Sequence, residues 1–192
     1  NSSMRLEIIC TGDEVLSGKT INTNYSHMAR RLQEVGIDVL WGTTVGDDRE
    51  SLTQAFKLAG ARADAVIVNG GLGPTVDDLS QEVAAEAAGV GLVLDQAWLD
   101  NIQSFYAARG RVMPPNNKKQ AMLPAGSEFI DNPVGTACGF ALNIGDARFF
   151  FTPGVPREIR KMLDDEIIPR LLKLSGTQVA VRLKRFHSFG LG

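Results

Sequence analysis

AVIVNGGLGPTVDDLSQE, residues 65–82, decides how this chain is read. Residues 65–68 form a short apolar run with the β-branched content of a buried strand. The run enters Asn69-Gly70-Gly71-Leu72-Gly73-Pro74, a turn of three glycines and a proline. Asp77 and Asp78 follow and open a helical pattern. Strand, glycine turn and acidic helix start form the junction at which α/β proteins build a small-molecule site on the C-terminal edge of a sheet. Glycines let backbone N–H groups converge on an anion, helped by the helix N-terminus behind them. Two carboxylates would repel a bare phosphate, so a divalent cation between acids and phosphate is the natural completion. Asp78 has a second reading, as a plain helix cap with Ser80 and Glu82 in the first turn.

Upstream, the same rhythm occurs twice more. Residues 6–11 (LEIICT) are an apolar strand followed by Gly12-Asp13-Glu14. Residues 37–45 are a second strand followed by Gly46-Asp47-Asp48. Asp48 suits the cap of a helix over 49–61, which leaves Asp47 spare. An amphipathic helix over 24–35 intervenes, with Asn22 and Asn24 at its start, one suited to capping and the other to ligand contact. Three strands that each end in glycine and carboxylates, alternating with helices, put acids along one edge of a parallel sheet. The stretch GDEVLSGKT is not a Walker-type phosphate loop. Its glycine spacing is one residue too long, and Asp13 and Glu14 would line it.

Downstream, the pattern predicts helices over 79–88 and 95–109, the latter packing through Trp98, Leu99, Ile102, Phe105 and Tyr106. Residues 116–120 read as a polar loop in which Lys119 is a candidate phosphate ligand. A short strand at 128–130 leads to a loop bearing Thr136. Residues 138–144 and 147–152 form a hairpin about Gly145-Asp146. A Pro-Gly turn opens a helix over 157–173, which Pro169 should kink or restart. Residues 178–186 alternate as a strand without a partner. Residues 4–173 are therefore read as one α/β domain, and 174–192 as the start of a small subdomain that looks truncated. Asn1-Ser2-Ser3 ahead of Met4 read as a cloning remnant.

The 192 residues are 44% hydrophobic and 22% charged, the balance of a globular chain. A net charge of -2 supplies no basic field for nucleic acid. Cys10 and Cys138 make no secreted disulfide framework and read as buried free thiols. No apolar run approaches bilayer-spanning length, and the N-terminus lacks a signal-peptide core. A cytoplasmic chain with no membrane partner is expected. An exposed sheet edge makes a homo-oligomer the expected assembly.

The longer motifs carry a resemblance. They are TGDEVLSG (11–18), NTN (22–24), TVGDD (44–48), NGGLGPTVDDLSQE (69–82), RGRVMPPNNKKQA (109–121), NPVGTACG (132–139) and TPGVPREI (152–159). Together they resemble the N-terminal domain of the CinA (competence/damage-inducible) family, its short CinA-like members in particular. The resemblance implies the molybdopterin-binding (MogA/MoaB-like) fold, a three-layer α/β/α architecture with a mostly parallel sheet. It implies a divalent-metal-dependent hydrolase cleaving ADP-ribose, or a related dinucleotide, to AMP and ribose 5-phosphate. The metal would be magnesium, manganese or cobalt, with potassium as a further candidate. Nicotinamide mononucleotide deamidation belongs to a separate C-terminal domain of that family, so it is not carried over. In pterin-handling relatives the same turn and DxTxE-like acids serve molybdopterin adenylylation. Here the motif reads Asp78-Leu79-Ser80-Gln81-Glu82, with Ser80 keeping the hydroxyl of the usual threonine.

On this reading Asp13, Asp47 and Asp78 are the metal ligands, and Asp78, Glu82 and Asp47 the catalytic acids. Gly70, Gly71 and Gly73 offer N–H groups to the diphosphate. Thr75, Ser80, Asn24, Lys119, Thr136 and Gly154 complete the substrate site. The alternative is a non-catalytic module that binds a pterin or a nucleotide. A molybdenum-cofactor enzyme ranks below both.

Overall fold

The structure, a computed structural model, describes residues 3–12 and 23–176. Asp13, Glu14, Asn22 and the strand expected at 178–186 lie outside the described residues. In chain order the elements are β1 (Leu6–Thr11), α1 (Thr23–Glu34), β2 (Val39–Val45), α2 (Arg49–Arg62) and β3 (Ala65–Asn69). Then come α3 (Ser80–Ala88), β4 (Leu92–Leu94), α4 (Gln96–Ala107), a 3-10 segment (Pro115–Ala121) and β5 (Met122–Pro124). The last are β6 (Glu128–Ile130), β7 (Gly139–Ile144), β8 (Ala147–Thr152) and α5 (Pro156–Met162).

Six strands form one sheet in the order β2-β1-β3-β8-β7-β6. The first four run parallel, and β7 and β6 join as antiparallel neighbours. β1 pairs with β2 on one side and β3 on the other, so the sheet reverses its direction of growth there. Such a switch point opens a crevice beyond the strands' C-terminal ends.

Period-two alternation sorts the strand residues onto two covered faces. Ile9, Val66, Val68, Phe149 and Phe151 meet Phe56 of α2, Val83 of α3 and Ile102 of α4. Ile8, Cys10, Ile67 and Phe150 meet Met28 and Leu32 of α1 and Ile159 and Met162 of α5. Three layers result, as the resemblance implies. Phe56 stands edge-on to Phe149 and Phe151 at centroid separations of 5.7 and 5.5 Å, and Phe140 stacks on Phe151 at 4.6 Å. Burying each such ring is worth about 2–3 kcal/mol, so these aromatics anchor the α2 layer.

Two local expectations are corrected. Residues 116–120 are not a solvated loop: they lie in the 3-10 segment, with Asn117 and Gln120 buried. Its end pairs into β4–β5, a second, two-stranded antiparallel sheet that the periodicity does not announce. Pro169 does not restart the last helix, which continues through residue 176. A π-helical turn at Leu163–Ile167 precedes it. Proline lacks an N–H and crowds the preceding carbonyl, and a widened turn accommodates both. Cys10 and Cys138 are buried thiols outside any disulfide, and burial pushes the Cys138 thiol far up. No helix among the described residues is long and apolar enough to cross a membrane.

Candidate functional site

A hollow of about 690 Å³ opens at the C-terminal ends of the parallel strands, a size suited to a nucleotide-sized ligand. It lies at the switch point, between Thr11 and Gly12 after β1, the glycine turn after β3, and the Pro153–Pro156 turn after β8. Asn69 staples these walls together. Its side-chain amide donates to Thr152 Oγ1 at 3.1 Å and to the Pro153 carbonyl at 2.8 Å. Its Oδ1 accepts from Asn24 Nδ2 at 3.0 Å.

The glycine turn serves its own folding as well as the hollow. Gly70 and Gly71 have φ of 110° and 76°, a region that side chains rarely enter. The Gly70 N–H donates to the Thr152 carbonyl at 2.9 Å, so it is not offered to a ligand, contrary to the sequence expectation. A Cβ on Gly71 would collide with the Ser80 hydroxyl. One on Gly73 would stand 2.6 Å from Asp78 Oδ2. The N–H groups of Gly71, Leu72 and Gly73 have no partner among the described residues, and all three residues line the hollow. So does Thr11, whose hydroxyl has no partner among the described residues although the residue is only 8% exposed.

Asp47, Asp77 and Asp78, from two separate strand ends, line this hollow together. Asp48 caps α2 by accepting from the Ser51 N–H at 2.8 Å, which holds its carboxyl below the ordinary range, while Asp47 lines the hollow. Asp78 does not cap α3. Its Oδ2 accepts from the N–H and the hydroxyl of Thr75, at 3.0 and 2.6 Å, which closes the tip of the turn. Thr75, Thr136 and Gly154 also line the hollow.

Four expected ligands are placed elsewhere or otherwise employed. Ser80 is fully buried, and its hydroxyl donates to the Gly70 carbonyl at 3.0 Å. Asn24 Nδ2 donates to Asn69 and to the Gly154 carbonyl, the latter at 2.8 Å, while its buried Oδ1 has no partner among the described residues. Glu82 and Lys119 line a separate groove behind the turn. There Glu82 pairs with Arg49 at 2.7 Å, and the Lys119 amine donates to the Thr75 carbonyl. Ser80 and Lys119 thereby brace the glycine turn, Asn24 ties the end of β3 to the turn after β8, and Glu82 is engaged by Arg49.

Two lining residues escape a reading of the sequence. Gln120 is buried and donates to the Leu72 carbonyl at 3.2 Å, tying the 3-10 segment to the glycine turn. Glu158, in the first turn of α5, is buried against the hollow and accepts from Asn132 Nδ2 at 2.8 Å. The only local signal for it was a carboxylate following the Pro-Gly turn at 153–156.

Among the described residues no cluster of three or more histidine, cysteine, aspartate or glutamate side chains could hold a metal ion. The hard oxygens of Asp47 and Asp78 nonetheless fit magnesium-like chemistry, in which one or two carboxylates and substrate phosphates complete the shell.

Comparison with known proteins agrees with this architecture. The family described as "Probable molybdopterin binding domain" matches residues 7–173. A CinA-like protein of Shewanella loihica is 44% identical over 189 residues, covering 98% of this chain and 45% of its own length. A CinA-like protein of Escherichia coli is 47% identical over 186 residues, covering 95% of this chain and 46% of its own. The chain thus spans just under half the length of these curated relatives. A crystal structure of CinA, "with unknown function", from Thermoplasma acidophilum superposes with a TM-score of 0.77 at 34% identity, covering 85% of this chain and 96% of that one. The molybdopterin biosynthesis enzyme MoaB of Thermus thermophilus shares the fold, with a TM-score of 0.59 at 19% identity over 92% of this chain and 97% of its own. The chain belongs to the molybdopterin-binding-domain family with the MogA/MoaB-like fold and, within it, to the CinA-like proteins.

Proposed function

We propose that the hollow binds the diphosphate of a dinucleotide such as ADP-ribose and hydrolyses it, with a divalent cation, to AMP and ribose 5-phosphate. The observation that carries this reading is the pairing of three N–H groups at Gly71–Gly73, without partners among the described residues, with two aspartates, Asp47 and Asp78, on one hollow. N–H groups alone would suit any anion. Carboxylates beside them suit an anion that arrives with a cation.

The roles follow from donor chemistry. The N–H groups of Gly71, Leu72 and Gly73 donate to the diphosphate oxygens and hold the phosphoryl group in place. The hydroxyls of Thr11 and Thr136 are further donors on the same lining. Asp47 and Asp78 are the residues that would hold the cation, which when bound supplies Lewis acidity and offsets charge on the phosphoryl oxygens. Thr75 keeps the Asp78 carboxylate turned toward the hollow. Glu82 and Lys119, behind the turn, position it and do not touch substrate.

The test is release of AMP from ADP-ribose by the purified chain, with and without magnesium, manganese or cobalt. Metal-dependent AMP is the expected result. ADP-ribose that binds and stays intact under every metal overturns hydrolysis. It leaves a second reading, a nucleotide- or pterin-binding module, which the family's description as a molybdopterin-binding domain favours. A thermal shift with molybdopterin-like ligands but none with ADP-ribose would decide for the pterin.

A further inference from the structure

Glu158 is held with more care than a solvent-facing helix residue needs. It is 7% exposed and lines the hollow. Asn132, itself 1% exposed, donates to Glu158 Oε1 at 2.8 Å and to the Ala137 carbonyl at 2.7 Å. The Asn132 Oδ1 accepts from the Val134 N–H at 3.1 Å. Both ends of this amide are therefore spent on the 132–137 loop and on one carboxylate. Gly135 leaves the remaining space: a Cβ there would fall 2.8 Å from Glu158 Oε2.

Among the described residues no arginine or lysine pairs with Glu158, and a single side-chain donor reaches it. An ionised carboxylate only accepts, and it has room for about four donors. A buried acceptor with capacity left over, facing a polar hollow, selects a ligand that brings donors.

Strand order indicates which part of the ligand this is. Asp47 follows β2, the glycine turn follows β3, and Glu158 follows β8, in that order along the sheet edge. The N–H cradle lies between Asp47 and Glu158. One strand step from β3 to β8 is about 5 Å. That is the reach from a phosphate to the ring hydroxyls of the sugar it esterifies.

We propose that Glu158, clamped by Asn132, is the specificity residue that accepts the vicinal hydroxyls of a sugar whose phosphate lies on the Gly71–Gly73 cradle. The inference rests on the phosphate-binding part of the reading above and not on hydrolysis. It makes the preferred ligand a sugar phosphate or sugar diphosphate, in place of bare phosphate or pyrophosphate.

The experiment is calorimetric titration of the 192-residue chain, wild type and Glu158→Gln, with ribose 5-phosphate, 2-deoxyribose 5-phosphate and inorganic phosphate. Glutamine keeps an oxygen for Asn132 and turns a donor toward the hollow. The wild type should prefer ribose 5-phosphate to both other ligands. The variant should lose about tenfold in affinity for ribose 5-phosphate and stay within about twofold for phosphate. An unchanged ribose 5-phosphate affinity, or an equal loss for phosphate, overturns the proposal. So does a variant whose response to added magnesium disappears while its sugar preference persists, which would make Glu158 a cation ligand. If Glu158→Gln does not fold, the wild type's discrimination between the ribose and deoxyribose phosphates decides alone. Intact ADP-ribose beside preserved sugar discrimination would defeat hydrolysis and leave this inference standing. No binding of any of the three ligands would remove the cradle and Glu158's role together.

Discussion

Glu7 and Glu158 are carboxylates buried on the same α/β/α scaffold, and their surroundings are opposite. Glu7, on β1, is 1% exposed and has both oxygens matched. Arg62 donates to them at 2.8 and 3.0 Å, and the Thr43 hydroxyl at 2.7 Å. Arg62 in turn lies over the Trp41 ring. Glu158 has one side-chain donor among the described residues and faces a hollow. A charge buried for architecture is matched on every side, because leaving it unmatched costs several kcal/mol. Acceptor capacity left over beside a polar hollow is what a ligand can use.

The largest effect tests whether the hollow is chemical at all. Asp78→Ala should lower AMP release from ADP-ribose by a hundredfold or more, on the order of other electrostatic losses. Its stability cost should be only about 1 kcal/mol, since Thr75 loses one capping partner. Retained turnover would remove the hollow from the chemistry.

The comparison itself can be broken by two unfolding curves in urea. Glu7→Ala should lose about 3 kcal/mol, because Thr43 and Arg62 are left without their partner. Glu158→Gln should lose less than about 1 kcal/mol. Equal losses would mean that Glu158 is one more structural carboxylate.

Gly71→Ala sharpens the distinction between a turn shaped for itself and one shaped for a ligand. The residue has φ of 76°, and its missing side chain makes room for the Ser80 hydroxyl. A loss of about 2 kcal/mol is expected even without ligand. A variant of wild-type stability would return the glycine to ligand binding alone.

The smallest effect comes from a third carboxylate, half in solvent. Burial works against ionisation of Glu128, but Arg170 and Arg148 at 2.8 and 2.9 Å outweigh it and hold the carboxyl below its ordinary value. A folded-state value below the unfolded one gives stability that is present above the unfolded value and lost as pH falls through the folded one. Glu128→Gln should therefore flatten the decline of melting temperature below about pH 4.5, by less than about 1 kcal/mol. An unaltered acid limb would show that the two arginines contribute nothing there.

Strand and turn chemistry is local, and it was legible. The strands of the parallel sheet, the glycine turns and the Asp48 cap follow from alternation and cap preference within a few residues. The second sheet was not legible, because β4 and β5 have three residues each and acquire their pairing from distant chain. Gln120 and Glu158 look like ordinary polar surface residues until a loop folds over them.

The sequence by itself determined that strands, glycine turns and acids recur in one rhythm, and so that the acids gather on one sheet edge. It determined this because both the period of a strand and the freedom of glycine are properties of single residues. Tertiary structure alone decided which of those acids share a hollow and which stand behind the turn. Lys119 is turned away by a carbonyl 44 residues distant, and Asn69 joins its strand to a turn 84 residues on. Contacts of that span are set by strand order, and no short window of sequence contains them.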